Sequence, residues 1–288
     1  MATTLTQHWL APAKLNLFLH ILDRRIDGYH NLETIFQFLD YGDELSFTRR
    51  EDNKINLVTP LFGVDNSDNL IVRAAKVIQN NIESEGPHGV DIQLNKRIPI
   101  GAGMGGGSSN AATTMLALNE LWNGQFTEEQ LLTLALQLGA DVPVFIAGKS
   151  CFAEGVGEKM TPCEPPEDWF LVVTPKITIN TAEIFSHPAL TRNSKSLRIR
   201  APLNWDQLAG FRNDCEEVVR RLYPEVDEAL NLLSRHGLVR LTGTGASVFS
   251  PFKSEHKARK IAALIPDSYN YFIAPATNKS KGIHPLEE

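Results

Sequence analysis

Pro99-Ile-Gly-Ala-Gly-Met-Gly-Gly-Gly-Ser-Ser-Asn-Ala-Ala112 places five glycines in seven positions, with two serines behind them. A strand-like run precedes it, in which Val90, Ile92 and Leu94 alternate with Asp91, Gln93 and Asn95. A helical pattern follows it: Ala111, Met115, Leu118 and Trp122 recur at spacings of four, three and four. A glycine-rich loop therefore joins a strand to a helix N-terminus. Backbone N–H groups in such a loop approach an anion closely, and the helix dipole adds to the attraction. A nucleotide phosphate is the ligand this arrangement fits; a flexible surface turn seldom needs so many glycines.

Three phosphate loops are excluded by what surrounds this one. A Walker A loop needs Lys after its last glycine, but Gly106 is followed by Gly107 and Ser108. Gly101, Gly103 and Gly106 match the dinucleotide fingerprint, which also requires a second parallel strand ending in an acidic residue. Here a second helix comes instead. Thr127 and Gln130 form its capping box, and Leu131, Leu132, Ala135 and Leu138 line its apolar side. A protein-kinase reading lacks the H-R-D and D-F-G signatures.

Composition bounds the rest. The 288 residues suffice for one large or two modest domains, and 42% hydrophobic against 22% charged residues describes a globular chain. A formal net charge of −6 opposes non-specific nucleic-acid binding. No secretory leader or membrane-length apolar run is evident, so a membrane role is not expected. Cys151, Cys163 and Cys215 lack metal-like spacing and are expected as free thiols, which fits a cytoplasmic location.

The pattern predicts strands near 15–22, 33–39, 44–49, 54–58 and 90–95, and helices near 70–82, 108–122 and 128–138. A short helix follows Asp141. Gly157, Pro162, Pro165 and Pro166 mark a break around 156–168. Beyond it, strands are expected at 170–173, 238–242, 246–250 and 269–274, with helices near 213–222, 225–235 and 254–264. The order β-α-α-β-β-α-β is close to a split βαβ with one extra helix. The fold class is α+β.

Two side chains stand out locally. Asp141 lies between Gly139, which is expected to end one helix, and Pro143, which suits the first turn of the next. It is therefore either a helix cap or an ionised carboxylate able to accept a proton. Lys14 sits in a strand-like run and is either an exposed edge charge or a placed cation. Asn16, two residues on, projects from the same strand face.

Three ordered motifs resemble the GHMP kinase superfamily: Ala11-Pro-Ala-Lys-Leu-Asn-Leu17, the glycine loop, and Leu241-Thr-Gly-Thr-Gly-Ala-Ser-Val-Phe249. Arg25-Ile-Asp-Gly-Tyr-His30, Phe36-Gln-Phe-Leu-Asp-Tyr-Gly-Asp43, Gly139-Ala-Asp-Val-Pro-Val-Phe145 and Ala153-Glu-Gly-Val-Gly-Glu158 extend the similarity. They resemble the branch that phosphorylates the 2-hydroxyl of a cytidine-diphosphate-linked methylerythritol in the non-mevalonate isoprenoid pathway. The resemblance implies two domains: an S5-like N-terminal domain over 1–160 and a ferredoxin-like C-terminal domain over 161–288.

It also implies roles. Asp141 would act as base, with Lys14 holding it ionised and steadying the transferring phosphoryl group. Pro99, Ile100, Gly101, Ala102, Gly103, Met104, Gly105, Gly106, Gly107, Ser108 and Ser109 would wrap the phosphates of ATP. Ser108 or Ser109 could instead cap the helix. Asn69, Leu70 and Lys96 match positions near the adenine. Asn16 would donate to the substrate, Tyr29 and Phe185, the latter beyond Thr181, would stack on cytosine, and His30 would bond its edge. Mg²⁺ is expected to arrive with ATP, supported by Ser108 and Asp141; no equivalent of the superfamily's magnesium glutamate is identifiable. No obligate protein partner is implied. The rivals are a homoserine- or mevalonate-type kinase, which has no need of Tyr29, His30 and Phe185, and a non-catalytic nucleotide-binding module, which has no need of Lys14 and Asp141.

Overall fold

The computed structural model describes residues 6–59, 65–197 and 203–286. The frame is built on two long strands, β1 (Thr6–Arg24) and β2 (His30–Arg50), paired antiparallel along most of their length. The sequence reads β2 as two strands broken at Gly42 and Asp43, because both are turn residues. The chain runs straight through. A Cβ at Gly42 would stand 2.1 Å from Ala11 O, so only glycine lets the two strands approach here. Asp43 is wholly buried and serves a different purpose, described below.

β2 changes partners along its other edge. Residues 32–36 pair with β5 (Cys151–Gly155), Phe38 and Leu39 with β10 (Tyr269–Thr277), and residues 44–50 with β4 (Gly89–Asn95). β3 (Ile55–Leu57) adds a parallel edge to β4, and β6 (Lys159–Pro162) closes a hairpin on β5. That hairpin falls in the segment expected as a break. Gly155 and Gly157, both left-handed, form its turn rather than a linker.

Four helices cover the N-terminal half of the sheet: α1 (Leu70–Asn81), α2 (Gly106–Leu121), α3 (Glu128–Leu136) and α4 (Val142–Ala147). The capping box of Thr127 and Gln130 forms as expected. Two expectations fail at helix ends. α3 stops at Leu136 with Gln137 as its C-cap, and Gly139 is not left-handed. α2 begins at Gly106 behind left-handed Gly105, with no side chain capping it, so neither Ser108 nor Ser109 is the cap. Trp9, Phe38, Phe47 and Met115 lie in the core between these helices and the sheet.

The C-terminal strands are β7 (Trp169–Pro175), β8 (Arg240–Leu241), β9 (Val248–Phe252) and β10. They lie side by side as β10-β7-β9-β8, all antiparallel. In chain order this is four-one-three-two, the arrangement of a ferredoxin-like split βαβ. α7 (Glu216–Leu222), α8 (Pro224–Ser234) and α9 (Glu255–Ala262) pack on it over Leu171, Val173, Val219 and Leu230. Two short helices, α5 (Thr181–Ser186) and α6 (Trp205–Ala209), were not legible in the pattern; six and five residues cannot display a period. The α+β fold class holds.

A third apolar cluster joins the two halves. Leu15, Leu17 and Phe18 of β1 meet Phe170 and Phe249 of β7 and β9, all fully buried. Each such side chain contributes roughly 1.5–3 kcal/mol by burial. Among the described residues no helix is long and apolar enough to cross a membrane. The three cysteines are free, and burial pushes each thiol up to about 12.

Candidate active site

A cleft of about 750 Å³ opens where these two halves meet, and the glycine loop forms one wall. The loop is held by its carbonyls. Ala246 N–H donates to Gly101 O and Ser247 N–H to Ala102 O, at 3.1 and 3.2 Å. The Thr242 hydroxyl donates to Gly103 O at 3.2 Å, and Lys14 N–H to Met104 O at 3.1 Å. Four successive carbonyls thus face protein. Among the described residues, no protein acceptor takes the amides of Gly106, Gly107 and Ser108. These are the orphan donors of a helix N-terminus, open to an anion. Gly103 is left-handed at φ 75°, and a Cβ there would stand 2.1 Å from Thr242 O. Its glycine is required by the neighbouring loop as well as by any phosphate.

Lys14 is not an edge charge. It lies on β1 opposite Phe38, 3% exposed, inside the sheet. Its Nζ donates to Asn16 Oδ1 at 2.6 Å, lies 3.3 Å from Asp141 Oδ2 and sits 4.7 Å from the centre of the Phe36 ring. A buried ammonium persists only with such partners. Asp141 occupies the N-cap position of α4, yet its carboxylate makes no cap bond. It faces the cleft, about a third exposed, with Lys14 behind it. The cap alternative is thereby removed.

Asn16 is committed more heavily than the sequence implied. Its Nδ2 donates to Thr34 Oγ1 at 2.9 Å, Thr34 donates to Phe18 O, and Oδ1 receives Lys14. One N–H remains for a ligand. Its backbone N–H donates to Thr242 Oγ1 at 3.0 Å, so one threonine of the C-terminal glycine motif ties Asn16 to Gly103.

The opposite end of the cleft is aromatic. Tyr29 is 63% exposed on the turn after β1, where Asp27 accepts its N–H and pairs with Arg25. His30 is buried, and its ring stacks on Phe185 with centroids 5.3 Å apart and planes 28° from parallel. Burial first, then the Arg192 and Arg24 cations, hold the His30 pKa below 6.5, against a smaller effect of Asp23. Thr181 lies alongside, its hydroxyl 2.9 Å from that of Thr244. At the third corner, Asn69 caps α1 by accepting Ile71 N–H, which leaves its buried Nδ2 without a partner. Lys96 pairs with Asp43, and Leu70 lines the wall beside Gly107.

Similarity along nearly the whole chain decides the family. The GHMP kinases N terminal domain matches residues 69–149, and the GHMP kinases C terminal domain matches 187–270. A protein of Pseudomonas paraeruginosa named 4-diphosphocytidyl-2-C-methyl-D-erythritol kinase is 56% identical over 277 residues, 96% of each chain. A Pseudomonas aeruginosa protein of the same name is 55% identical over the same share. The chain belongs to the GHMP kinases, in the 4-diphosphocytidyl-2-C-methyl-D-erythritol kinase branch. A crystal structure of a 4-(cytidine 5'-diphospho)-2C-methyl-D-erythritol kinase, 33% identical, superposes with a TM-score of 0.81 over 93% of this chain and 98% of that one. As a GHMP kinase the chain is an enzyme, a small-molecule kinase.

Of the residues expected in the GHMP kinase site, all but Ser109 line this single cleft. Ser109 is wholly buried. Its amide donates to Gly105 O at 2.8 Å and its hydroxyl meets no partner, so it turns into the helix packing instead. Several residues that shape the cleft were missed. Asp68, Asn110, Gly243 and Thr244 line it. Asp43 lies beneath: one oxygen accepts the N–H groups of Arg97 and Ile98, both at 2.7 Å, and the other accepts Lys96 at 2.5 Å. It therefore sets the approach to the glycine loop. The Phe36–Asp43 motif contained that signal, but its acidic end reads as a turn until β4 is seen beside it.

Proposed function

We propose that this kinase transfers the γ-phosphoryl group of ATP to the 2-hydroxyl of 4-diphosphocytidyl-2-C-methyl-D-erythritol, in the non-mevalonate route to isoprenoid precursors. The observation that carries the reading is the Lys14–Asp141 pair at 3.3 Å, in one cleft with both the glycine loop and the Tyr29, His30 and Phe185 set. The names of the relatives support the choice of substrate.

Phosphoryl transfer asks mainly for alignment and for positive charge on the spreading oxygens. The free amides of Gly106, Gly107 and Ser108 bind phosphate oxygens at the N-terminus of α2. The rest of 99–108 walls that subsite, while Asn69, Leu70 and Lys96 border the adenine. Asp141 takes the proton of the attacking hydroxyl. Lys14, 3.3 Å behind that carboxylate, holds it in place and faces the charge that builds on the transferring group. Asn16 orients Lys14 through Oδ1 and offers its remaining N–H to the acceptor alcohol. Tyr29 and Phe185 supply stacking faces for cytosine, with His30 and Thr181 at its polar edges.

Among the described residues there is no group of three or more His, Cys, Asp or Glu that could cage a metal. Mg²⁺ would enter with the nucleotide, and the Ser108 hydroxyl and the Asp141 carboxylate, both lining the cleft, would be the side chains to hold it. Bound there, it would neutralise phosphate charge. The division into an N-terminal domain that holds the glycine loop and a C-terminal ferredoxin-like domain is included in the same proposal. The boundary, expected after residue 160, is proposed just beyond β6; the pairing of Lys159–Pro162 with β5 supports that choice.

The test is ADP release with Mg-ATP and a panel of alcohols. Turnover is expected with the cytidine-linked acceptor and not with homoserine, mevalonate or galactose. Equal turnover of homoserine would remove the substrate assignment and leave the family intact.

A further inference from the structure

Arg192 lies outside every motif of the sequence, yet its guanidinium organises the aromatic end of the cleft. Its Nε donates to His30 Nε2 at 3.0 Å and its Nη1 to Leu190 O at 3.1 Å. Nη2 donates to Phe185 O at 2.8 Å and His187 O at 2.9 Å. A guanidinium has donors only, so His30 must present a lone pair at Nε2. In a neutral imidazole the single proton then resides on Nδ1. The lowered pKa of His30, caused first by burial and then by Arg192, agrees with the neutral form. Among the described residues no protein group bonds Nδ1, while His30 lines the cleft and its ring stacks on Phe185.

We propose that Arg192 is a positioning residue for specificity: it locks His30 as a single N–H donor at Nδ1 and, through Phe185 O, sets the stacking face beside that donor. The inference rests on the cytosine reading above. A lone donor suits the N3 lone pair of cytosine. Uracil carries N–H at N3, and two donors would then oppose each other. A site built around one hydrogen bond rejects a base that cannot make it, because the buried polar group is left unpaired. His30 alone, free to exchange its proton between ring nitrogens, could accept from uracil as readily as donate to cytosine. The guanidinium removes that choice without touching the substrate.

Two readouts separate this proposal from the reading beneath it. Nitrogen-15 NMR of the imidazole in the free enzyme reports the His30 tautomer with no substrate present. Nδ1–H is expected in the wild type and in Arg192→Lys, which keeps a donor; Arg192→Met is expected to shift the population toward Nε2–H. Kinetics then compare the cytidine-linked acceptor with its uridine counterpart. In Arg192→Met, KM for the cytidine form should rise roughly 3- to 30-fold with kcat within about 2-fold, the loss of one hydrogen bond. The preference for cytidine over uridine in kcat/KM should fall by about the same factor. A purely structural Arg192 would raise both KM values together and leave the preference intact, which would overturn the proposal. So would Nε2–H in the wild type. If the tautomer behaves as expected and the wild type does not distinguish the two bases, the lock stands, and its role in specificity falls with the cytosine reading.

Discussion

Gly103→Ala is expected to push the glycine loop and its neighbour apart rather than merely crowd a phosphate. Gly103 is left-handed at φ 75°, and the added Cβ would stand 2.1 Å from Thr242 O and 3.0 Å from Gly245 O. Both obstacles are backbone, so no side chain can turn aside. Left-handed backbone costs a non-glycine residue about 1–2 kcal/mol. Separating the loops also removes the bonds from the Thr242 hydroxyl, Ala246 N–H and Ser247 N–H to the carbonyls of residues 101–103. At about 1 kcal/mol each, these bring the loss to about 4–5 kcal/mol. A typical domain has only about 5–15 kcal/mol of stability to lose. At about 2–4 °C per kcal/mol for a chain of this size, Tm should fall by about 8–20 °C. Gly107→Ala is the control. A Cβ there meets only Leu70 Cδ1 at 3.5 Å, and the position is helical. It should hold or slightly raise Tm, since alanine is the better helix former by about 1 kcal/mol, while weakening ATP binding. Differential scanning calorimetry with ATP titration reads both effects. A Gly103→Ala enzyme that melts with the wild type would refute the reasoning.

Three further outcomes are expected. Asp141→Asn keeps the side-chain shape and removes the anion, so kcat should drop roughly 10²–10⁴-fold with KM for ATP nearly constant; near-normal turnover would mean that the carboxylate is not the base. Tyr29→Ala and Phe185→Ala should each raise KM for the cytidine-linked acceptor about 5- to 150-fold through lost stacking, with a non-additive double variant; unchanged KM in both would make them packing residues only. His20 and His30 titrate below 6.5 in the folded chain, chiefly through burial, so the unfolded chain binds more protons between those lowered values and 6.5. The contribution of these two histidines should therefore fall as pH drops through 6.5 and level off once they are protonated in both states; urea midpoints that fall just as steeply in His20→Gln would contradict this.

What the sequence made legible, and what it hid, follows from the range of the contacts. The glycine loop could be read because its strand, turn and helix lie within one short stretch. Lys14 and Asp141 each had two local meanings, edge charge or cation, cap or base. Only the resemblance chose between them, since the contact that decides spans 127 positions of chain. Thr242 bonds Asn16 across 226 positions, Arg192 bonds His30 across 162, and Asp43 bonds Lys96 across 53. No period or turn preference encodes such partners. Asp43 was disguised further, because Asp beside Gly42 has the chemistry of a turn while the chain continues as a strand. Ser109 failed for a geometric reason. Adjacent residues on a helix point about 100° apart, so Ser108 faces the cleft and Ser109 faces the core.

The central claim is a phosphoryl transfer to one hydroxyl, and phosphorus-31 NMR of the reaction mixture observes that event directly. With Mg-ATP and 4-diphosphocytidyl-2-C-methyl-D-erythritol, the account predicts a new phosphomonoester resonance, coupled to no proton because the 2-carbon is tertiary, growing in step with ADP. ADP without a new ester, or an ester split by an adjacent C–H, would contradict it.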